Sequence, residues 1–520
     1  RIYHGGLHMK TYTGCLIYSI LYFFVAMGLH HMLLKADISI IVYIIIILSE
    51  MFVFIIPSPF KENIKLDKRH NVIMKIKLLA VNVGLIAVSV YVKRNYILNL
   101  INTISGLLFP LITFPYASRV LLAEGIGKVQ FFDSIIGYIL LISSLGIPLY
   151  AIREVAKVRN DYREKSKVTA EILLLHCILT FFAYLLVFVI AFTVDKIHAD
   201  MPLFFLLSGS LLFTALGVFW FYQATEDFMY ITIRAVSIKV VAAIALFTLV
   251  KDRDDVLWYA AINTCASVGN NIFNFIRLRR KINVKLFSFG ELDIARHLKP
   301  ALKIFTLNMI VSISLQLDTV MLGFMKSDAA VGYYTAASKL TRMSLAVLTS
   351  LGGVLLPRFS NYISTGHIDE FNELAGKSFS YLICIALPMV AGLVLLADPI
   401  IGVFSGSSYA PSVPTLQAIA PIILFVGISG FLSMQILYPM GKENLVIIVA
   451  SCTTVVNVIC NLVLIPKYSQ VGAAIASSVS ELSGMVVVIF IAGRYLKFSL
   501  FNARQLNYIV GTAIMAVVVY

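Results

Sequence analysis

Four basic residues, Arg119, Lys239, Lys339 and Arg342, lie within stretches of sequence that are otherwise apolar, and the acid Asp318 lies in another. A charged side chain at the centre of a bilayer costs about 2.5–3.5 kcal/mol on insertion scales, against roughly −0.5 kcal/mol for Leu or Ile. Such groups persist where they face one another or a wet cavity. Arg and Lys in a cavity suit an anionic passenger, because a guanidinium can hold a phosphate through two parallel hydrogen bonds. The same lining repels organic cations. Asp318 supplies a titratable group for ion coupling, to H+ or Na+. Glu171 and Asp133 are the other acids inside apolar stretches, so the balance leans positive.

Polar side chains share faces with these charges. Asn95, Asn99, Asn102, Gly106, Thr113 and Ala117 fall within about 40° of one another at 100° per residue, a small, polar stripe on one helix. It reads equally as a cavity wall or as a close helix–helix contact. Asn308, Ser312, Gln316 and Thr319 share a second face, and Thr335, Lys339, Arg342 and Thr349 a third. Asn99, Asn102, Asn308 and Gln316 are therefore the expected polar lining. Lys339 stands about nine residues into its apolar stretch, roughly 14 Å deep at 1.5 Å per residue. Asp318 is at similar depth. The two can form an ion pair with each other, or a hydrated, electropositive wall with Asp318 as the titratable group. Arg119 stands at one end of its helix, where it could simply touch headgroups. Pro110 and Pro115 should bend that helix, since each lacks an N–H and crowds the preceding turn.

The elements that position these groups are membrane spans. A 520-residue chain that is 59% apolar and 13% charged is not an ordinary soluble domain. From Asn95 onward about thirteen stretches reach crossing length: 95–118, 129–149, 169–192, 202–222, 231–250, 256–276, 304–324, 330–355, 379–397, 414–436, 445–465, 471–493 and 505–520. All should be helices, because a lipid-exposed strand leaves its backbone groups unpaired. The connectors at 150–168, 223–234, 277–303, 356–378, 440–444 and 494–504 hold 21 Lys and Arg, whereas the alternate set holds 7. This threefold bias separates a basic-rich from a basic-poor end and puts the segment from Asn95 first in the cytoplasm.

A weak repeat aligns 123–132 with 328–336, superposing Gly127 on Gly332, and Asp255-Val256 with Gln470-Val471. Six helices separate the copies, so the halves share an orientation and are related by an axis along the membrane normal. The expected architecture is all-α, with about 12–14 transmembrane helices in two six-helix lobes around a central cavity and an N-terminal hydrophobic extension. Its parts are the extension, 1–92; the first lobe with the start of a basic linker, 93–290; the second lobe, 291–497; and a truncated further helix, 498–520. Runs at 11–29 and 38–57 could pair as a hairpin. The segment between Lys77 and Lys93 is short for a crossing.

No catalytic signature is present. The chain has no G-x-x-x-x-G-K-[ST] loop, H-E-x-x-H or G-x-S-x-G. Six cysteines lack paired spacing, and His30-His31 is the one histidine cluster, so neither metal nor cofactor is expected. The net charge of +15 sits in short loops between spans, which points to a membrane face and not to nucleic acid.

Leu-Phe-Pro-Leu-Ile-Thr-Phe-Pro-Tyr-Ala-Ser-Arg-Val-Leu (108–121), Glu-Gly-Ile-Gly (124–127) and Leu-Gly-Ile-Pro-Leu-Tyr-Ala-Ile-Arg-Glu-Val-Ala (145–156) resemble the opening of the Wzx-type polysaccharide flippases. Leu-Asp-Thr-Val-Met-Leu-Gly (317–323) and Val-Gly-Tyr-Tyr-Thr-Ala-Ala-Ser-Lys-Leu (331–340) are similar to the start of that family's second lobe. Tyr-Ala-Pro-Ser (409–412) and Val-Gly-Ala-Ala-Ile-Ala-Ser (471–477) fit its later loops. The resemblance covers about 93–520. It implies the fold of the multidrug/oligosaccharidyl-lipid/polysaccharide (MOP) exporters, in a bacterial cytoplasmic membrane. The implied cargo is an undecaprenyl-pyrophosphate-linked oligosaccharide for O-antigen, capsule or exopolysaccharide, delivered to polysaccharide assembly proteins. By position, Arg119, Lys339 and Arg342 would hold the headgroup and Asp318 would couple an ion. The rivals are a cation-coupled multidrug antiporter of the same fold and a membrane-embedded glycan polymerase. A polymerase should carry a large outer loop with catalytic carboxylates or arginines, and none follows residue 95.

Overall fold

The computed structural model describes residues 68–269, 271–496 and 503–519, with side-chain detail beginning at Leu98. The chain forms two units, Arg1–Lys93 and Arg94–Tyr520. Of the first, only helical backbone from Lys68 is described, so the expected hairpin at 11–57 lies outside the described residues. The second unit spans the residues from which both lobes were expected.

Its described residues are helical, without strand. In order, the helices are α1 (Lys68–Ser144), α2 (Ile147–Lys157), α3 (Tyr162–Thr193), α4 (Asp195–His198), α5 (Met201–Leu216), α6 (Phe219–Ala224), α7 (Phe228–Leu249) and α8 (Val256–Thr264). Then come α9 (Asn271–Leu278), α10 (Ala295–Met325), α11 (Asp328–Thr365), α12 (Ile368–Leu395), α13 (Ala397–Ser405), α14 (Ser412–Ile419), α15 (Ile422–Gly430), α16 (Glu443–Ala492) and α17 (Ala503–Val519). Single π turns, Cys265–Gly269 and Phe431–Leu437, continue α8 and α15. Among the described residues, seven helical stretches are long and apolar enough to cross a membrane as they stand. α1 and α16 each contain two spans, divided where Leu122 (φ 57°) and Ser469 (φ 52°) leave helical geometry. With those breaks counted, the expected spans fall on helix and the protein is a multi-pass, all-α membrane protein. Pro110 and Pro115 lie inside helical backbone, and the interruption comes instead at Leu122.

Chain reversals are built locally. The Asp161 carboxylate accepts from the Arg163 and Glu164 nitrogens and starts α3. Ser327 caps α11 by accepting from the Ala330 nitrogen. Before α8, Asp255 accepts from the Lys251 and Asp252 nitrogens at 2.9 Å each, and these bonds hold its carboxyl below the usual carboxylate range.

The buried apolar residues form three clusters whose placement defines the architecture. One joins α2, α3, α6, α7 and α9 with Ala301 of α10, at the basic-rich end of the first half. A second belongs to the second half, from Leu348 through Phe359, Phe371 and Phe431 to Ala492. The third takes residues from both halves, including Phe114, Leu121, Ile126, Phe131, Val250, Val331, Phe404, Tyr409, Ile465 and Ala473, all toward the basic-poor end. The halves thus share one core at the basic-poor end and keep separate cores at the other, except that the start of α10 packs through Ala301 into the core of the first half.

Candidate functional site

The shared core closes over a crossing of two glycines. A Cβ built on Gly127 would overlap the Asp328 carbonyl oxygen and come within 2.6 Å of the Gly332 nitrogen. A Cβ on Gly332 would overlap the Ala123 carbonyl oxygen and reach 2.8 Å from the Ala123 Cα. The two positions aligned by the sequence repeat therefore face each other at the crossing. Beside them the Phe131 ring stacks edge-on against Phe324, with centroids 5.1 Å apart, over Gly323. Phe114 stacks on Phe404 at 5.1 Å. The Lys326 Nζ donates to the Pro466 carbonyl at 2.9 Å.

Arg119 belongs to this rim and not to an interior cation group. Its guanidinium donates to the carbonyls of Pro115 and Val403, at 2.6 Å each, and of Gly402, at 3.4 Å. The bonds reach the backbone of α13 in the other half, so Arg119 ties halves together where the sequence suggested headgroups or substrate.

Beneath the seal, Lys339 of α11 is half-buried, with its Nζ 5.1 Å from the Phe114 ring centroid. Arg342, one turn further on, is exposed. Asp133 on α1 is also exposed, yet close enough for its charge to act on Lys339 and Tyr259. Asp133 thus stands near charged and phenolic groups of both α8 and α11, one in each half. The Gln316 amide lies directly over Gly137, one turn beyond Asp133, where any Cβ would overlap its nitrogen. Lys239 stands apart, inside the first half, where its Nζ donates to the Ser105 hydroxyl at 3.0 Å and lies near Gly106. Asn102 is half-buried and its carbonyl accepts from Ser105. The side chains of Asn99 and Asn308 lie outside the described residues.

Asp318 does not pair with Lys339. It is 8% exposed and takes four donors: the hydroxyls of Tyr334, at 2.7 Å, and Ser477, and the amides of Asn457 and Asn461, at 3.0 and 2.6 Å. Asn461 also donates to the Asn457 oxygen at 3.1 Å. Glu481, one turn beyond Ser477, is near enough to act on Asp318. The correction has a simple cause. An acid buried in one half is stabilised by short polar side chains of its own half, and needs no cation. None of Tyr334, Asn457, Asn461 and Ser477 had been singled out in the sequence. The signal was there, as two Asn four residues apart and Ser477 with Glu481 at the same spacing, all inside apolar spans.

Glu171 also resolves into a structural group. Fully buried, it accepts from the Asp293 nitrogen at 2.9 Å and pairs with Arg296 and, at 2.8 Å, with His297, whose other ring nitrogen meets the Tyr150 hydroxyl at 2.7 Å. These bonds fasten the start of α10 to the base of the first half. Glu171→Gln keeps the shape but loses the charge, and is expected to cost about 1–3 kcal/mol. Thermal unfolding in detergent should show a lower Tm; an unchanged Tm would refute the assignment.

Residues 92–363 match the polysaccharide biosynthesis protein family, residues 304–463 the MatE family, and residues 1–114 the accessory gene regulator B family. A Shigella dysenteriae protein described as an O-antigen transporter is 24% identical over 76% of this chain and 98% of its own length. An Escherichia coli K12 protein of the same description is 19% identical over 75% and 94%. Among solved structures, the lipid II flippase MurJ in an inward closed conformation superposes with a TM-score of 0.64 at 18% identity, over 82% of this chain and 91% of MurJ. An inward-facing multidrug resistance MATE transporter of the MOP superfamily gives 0.60 at 15% identity, over 76% and 94%. The match over residues 92–363 covers more than half of the 520 residues, so the chain belongs to the polysaccharide biosynthesis protein family.

Proposed function

We propose that the protein is a flippase that moves an undecaprenyl-pyrophosphate-linked oligosaccharide across the bacterial cytoplasmic membrane by alternating access, for a surface polysaccharide. The observation that carries this reading is the pair of halves fused by one core at the basic-poor end and, apart from the start of α10, built on separate cores at the other. With the basic-rich end in the cytoplasm, that arrangement is an inward-facing state. Lys339 and Arg342 then meet the pyrophosphate in the space beneath the seal, Asn102, Gln316 and the polar faces accommodate sugars, and the prenyl tail stays in lipid. Lys239, near the Asn102 stripe, adds a cation along the wall of the first half.

Asp318 is the coupling acid in this reading. Its carboxylate, and the Asn461 Oδ1 that is buried without a hydrogen-bond partner, offer oxygens to Na+, while protonation would loosen the same four donors. Each charge moved through 100 mV of membrane potential is worth about 2.3 kcal/mol, enough to bias two states. A multidrug antiporter is the weaker alternative, because a lining of Lys and Arg disfavours organic cations.

The test replaces Lys339 and Arg342 by Ala in a flippase-deficient strain. A hydrogen bond to a charged group contributes about 1.5–3 kcal/mol, so each single substitution should lower polysaccharide display roughly 10- to 100-fold. Unimpaired display by the double variant would reject the headgroup role. Drug resistance without a glycan phenotype would favour the antiporter.

A further inference from the structure

At the basic-poor end, one ion pair among the described residues joins the two halves. The Lys196 Nζ lies 2.7 Å from the Asp328 Oδ1, with the side chains 31% and 18% exposed. The same ammonium donates to the Gly323 carbonyl at 2.6 Å and sits 4.6 Å from the Phe131 ring centroid. Lys196 comes from α4, a single turn whose Ile197 is fully buried, so its stem is held by the first half. Gly323 and Asp328 flank the turn between α10 and α11, in the second half. Asp328 is also the residue whose carbonyl meets Gly127 at the glycine crossing.

We propose that Lys196 is the latch of this gate: its ammonium holds the α10–α11 turn against the first half, and the halves part at this end only when it lets go. Three attachments converge on one nitrogen: a carboxylate, a backbone carbonyl near the end of α10 and an aromatic face. The Asp328 Oδ1 makes no aligned hydrogen bond, so its contact with Lys196 is an ion pair without a substitute. If the ammonium is removed, that oxygen is left buried and unpaired while the gate is shut, and it meets water when the gate opens. The strain therefore falls on the closed state alone, which is what a latch requires. The neighbouring pair Lys128–Asp200, at 3.0 Å, lies within the first half and is indifferent to the movement.

This rests on the inward-facing reading for its direction, but its test does not depend on cargo. In a background without native cysteines, Gln316→Cys places a reporter between the halves beneath the seal. Labelling by a membrane-impermeant maleimide added outside intact cells measures opening at the basic-poor end, and labelling of inverted vesicles measures access from the other side. Lys196→Met and Asp328→Asn should each raise outside labelling about five- to tenfold. The exchanged pair Lys196→Asp with Asp328→Lys should return it toward the parent, and Lys196→Arg should leave it low. Outside rates unchanged in both single variants, or an exchanged pair no better than the singles, would overturn the latch. If the parent labels readily from outside and poorly in vesicles, the assigned orientation fails. The latch would then be judged by the response to the same substitutions on the other face. Glycan display lost without any change in labelling would overturn the latch and leave the flippase reading standing.

Discussion

Gly127→Ala is expected to lower polysaccharide display by more than a hundredfold, although it adds one methyl group. The added carbon would occupy the space of the Asp328 carbonyl oxygen and crowd the Gly332 nitrogen. Neither is the tip of a flexible side chain. Both belong to the first turns of α11, whose Val331 is fully buried and packs in the shared core. Relief requires the two helices to separate along their whole contact. Overpacking of a well-filled core typically costs about 1–3 kcal/mol, and a clash between backbones falls at the upper end. Some 3 kcal/mol is more than a hundredfold in an equilibrium constant. The penalty applies only while the basic-poor end is closed, so the protein should remain in the membrane and rest open at that end. Gly332→Ala should behave alike, through Ala123, and the double variant should be little worse than either, since one crossing is lost in both. Outside labelling of the Gln316→Cys reporter together with display measures this; near-normal display by Gly127→Ala would show that the crossing is not part of the working cycle.

Asp318→Ala is expected to have the second large effect, on stability as well as transport. Four donors converge on this carboxylate from Tyr334, Asn457, Asn461 and Ser477. Each buried donor left without an acceptor costs about 1–3 kcal/mol, so the loss should be on the order of 4 kcal/mol even after some re-pairing. That is several degrees in the Tm of the detergent-solubilised protein. Asp318→Asn separates packing from charge: it keeps the volume and one acceptor, and should retain more of the Tm while still abolishing display. If Asp318→Asn flips cargo at the normal rate, this acid does not couple an ion, and its role is architectural.

The two halves of the molecule were unequally legible in the sequence. Spans follow from hydropathy because a crossing helix must hide its backbone, and the alternation of Lys and Arg between connectors separates one end from the other and supports the proposed direction. The Gly127–Gly332 correspondence was visible as a repeat, but not as a contact. Equivalence in sequence says that two residues play the same part, not that they touch. Lys339, Arg342 and Asp318 stood out because a charge in an apolar run is expensive. Their partners did not, since Asn457, Asn461 and Ser477 lie more than a hundred residues beyond Asp318 and none is costly by itself. The partners of Arg119 were hidden for a related reason. Depth along a helix gives the level of a guanidinium in the membrane, but not which carbonyls of a distant helix lie within its reach. Lys196 and Asp328 were unremarkable as connector charges until the fold brought them to 2.7 Å.

One helix is fastened to two bodies. α10 starts where Glu171 grips Arg296 and His297 in the first half, and carries Asp318 into the second, where Asn457 and Asn461 hold it. A rod anchored at each end to a different partner cannot stay straight and unstressed while those partners rock. In the proposed alternating-access cycle the middle of α10 acts as a spring or pivot, and an ion bound at Asp318 would pull on the far end of that rod.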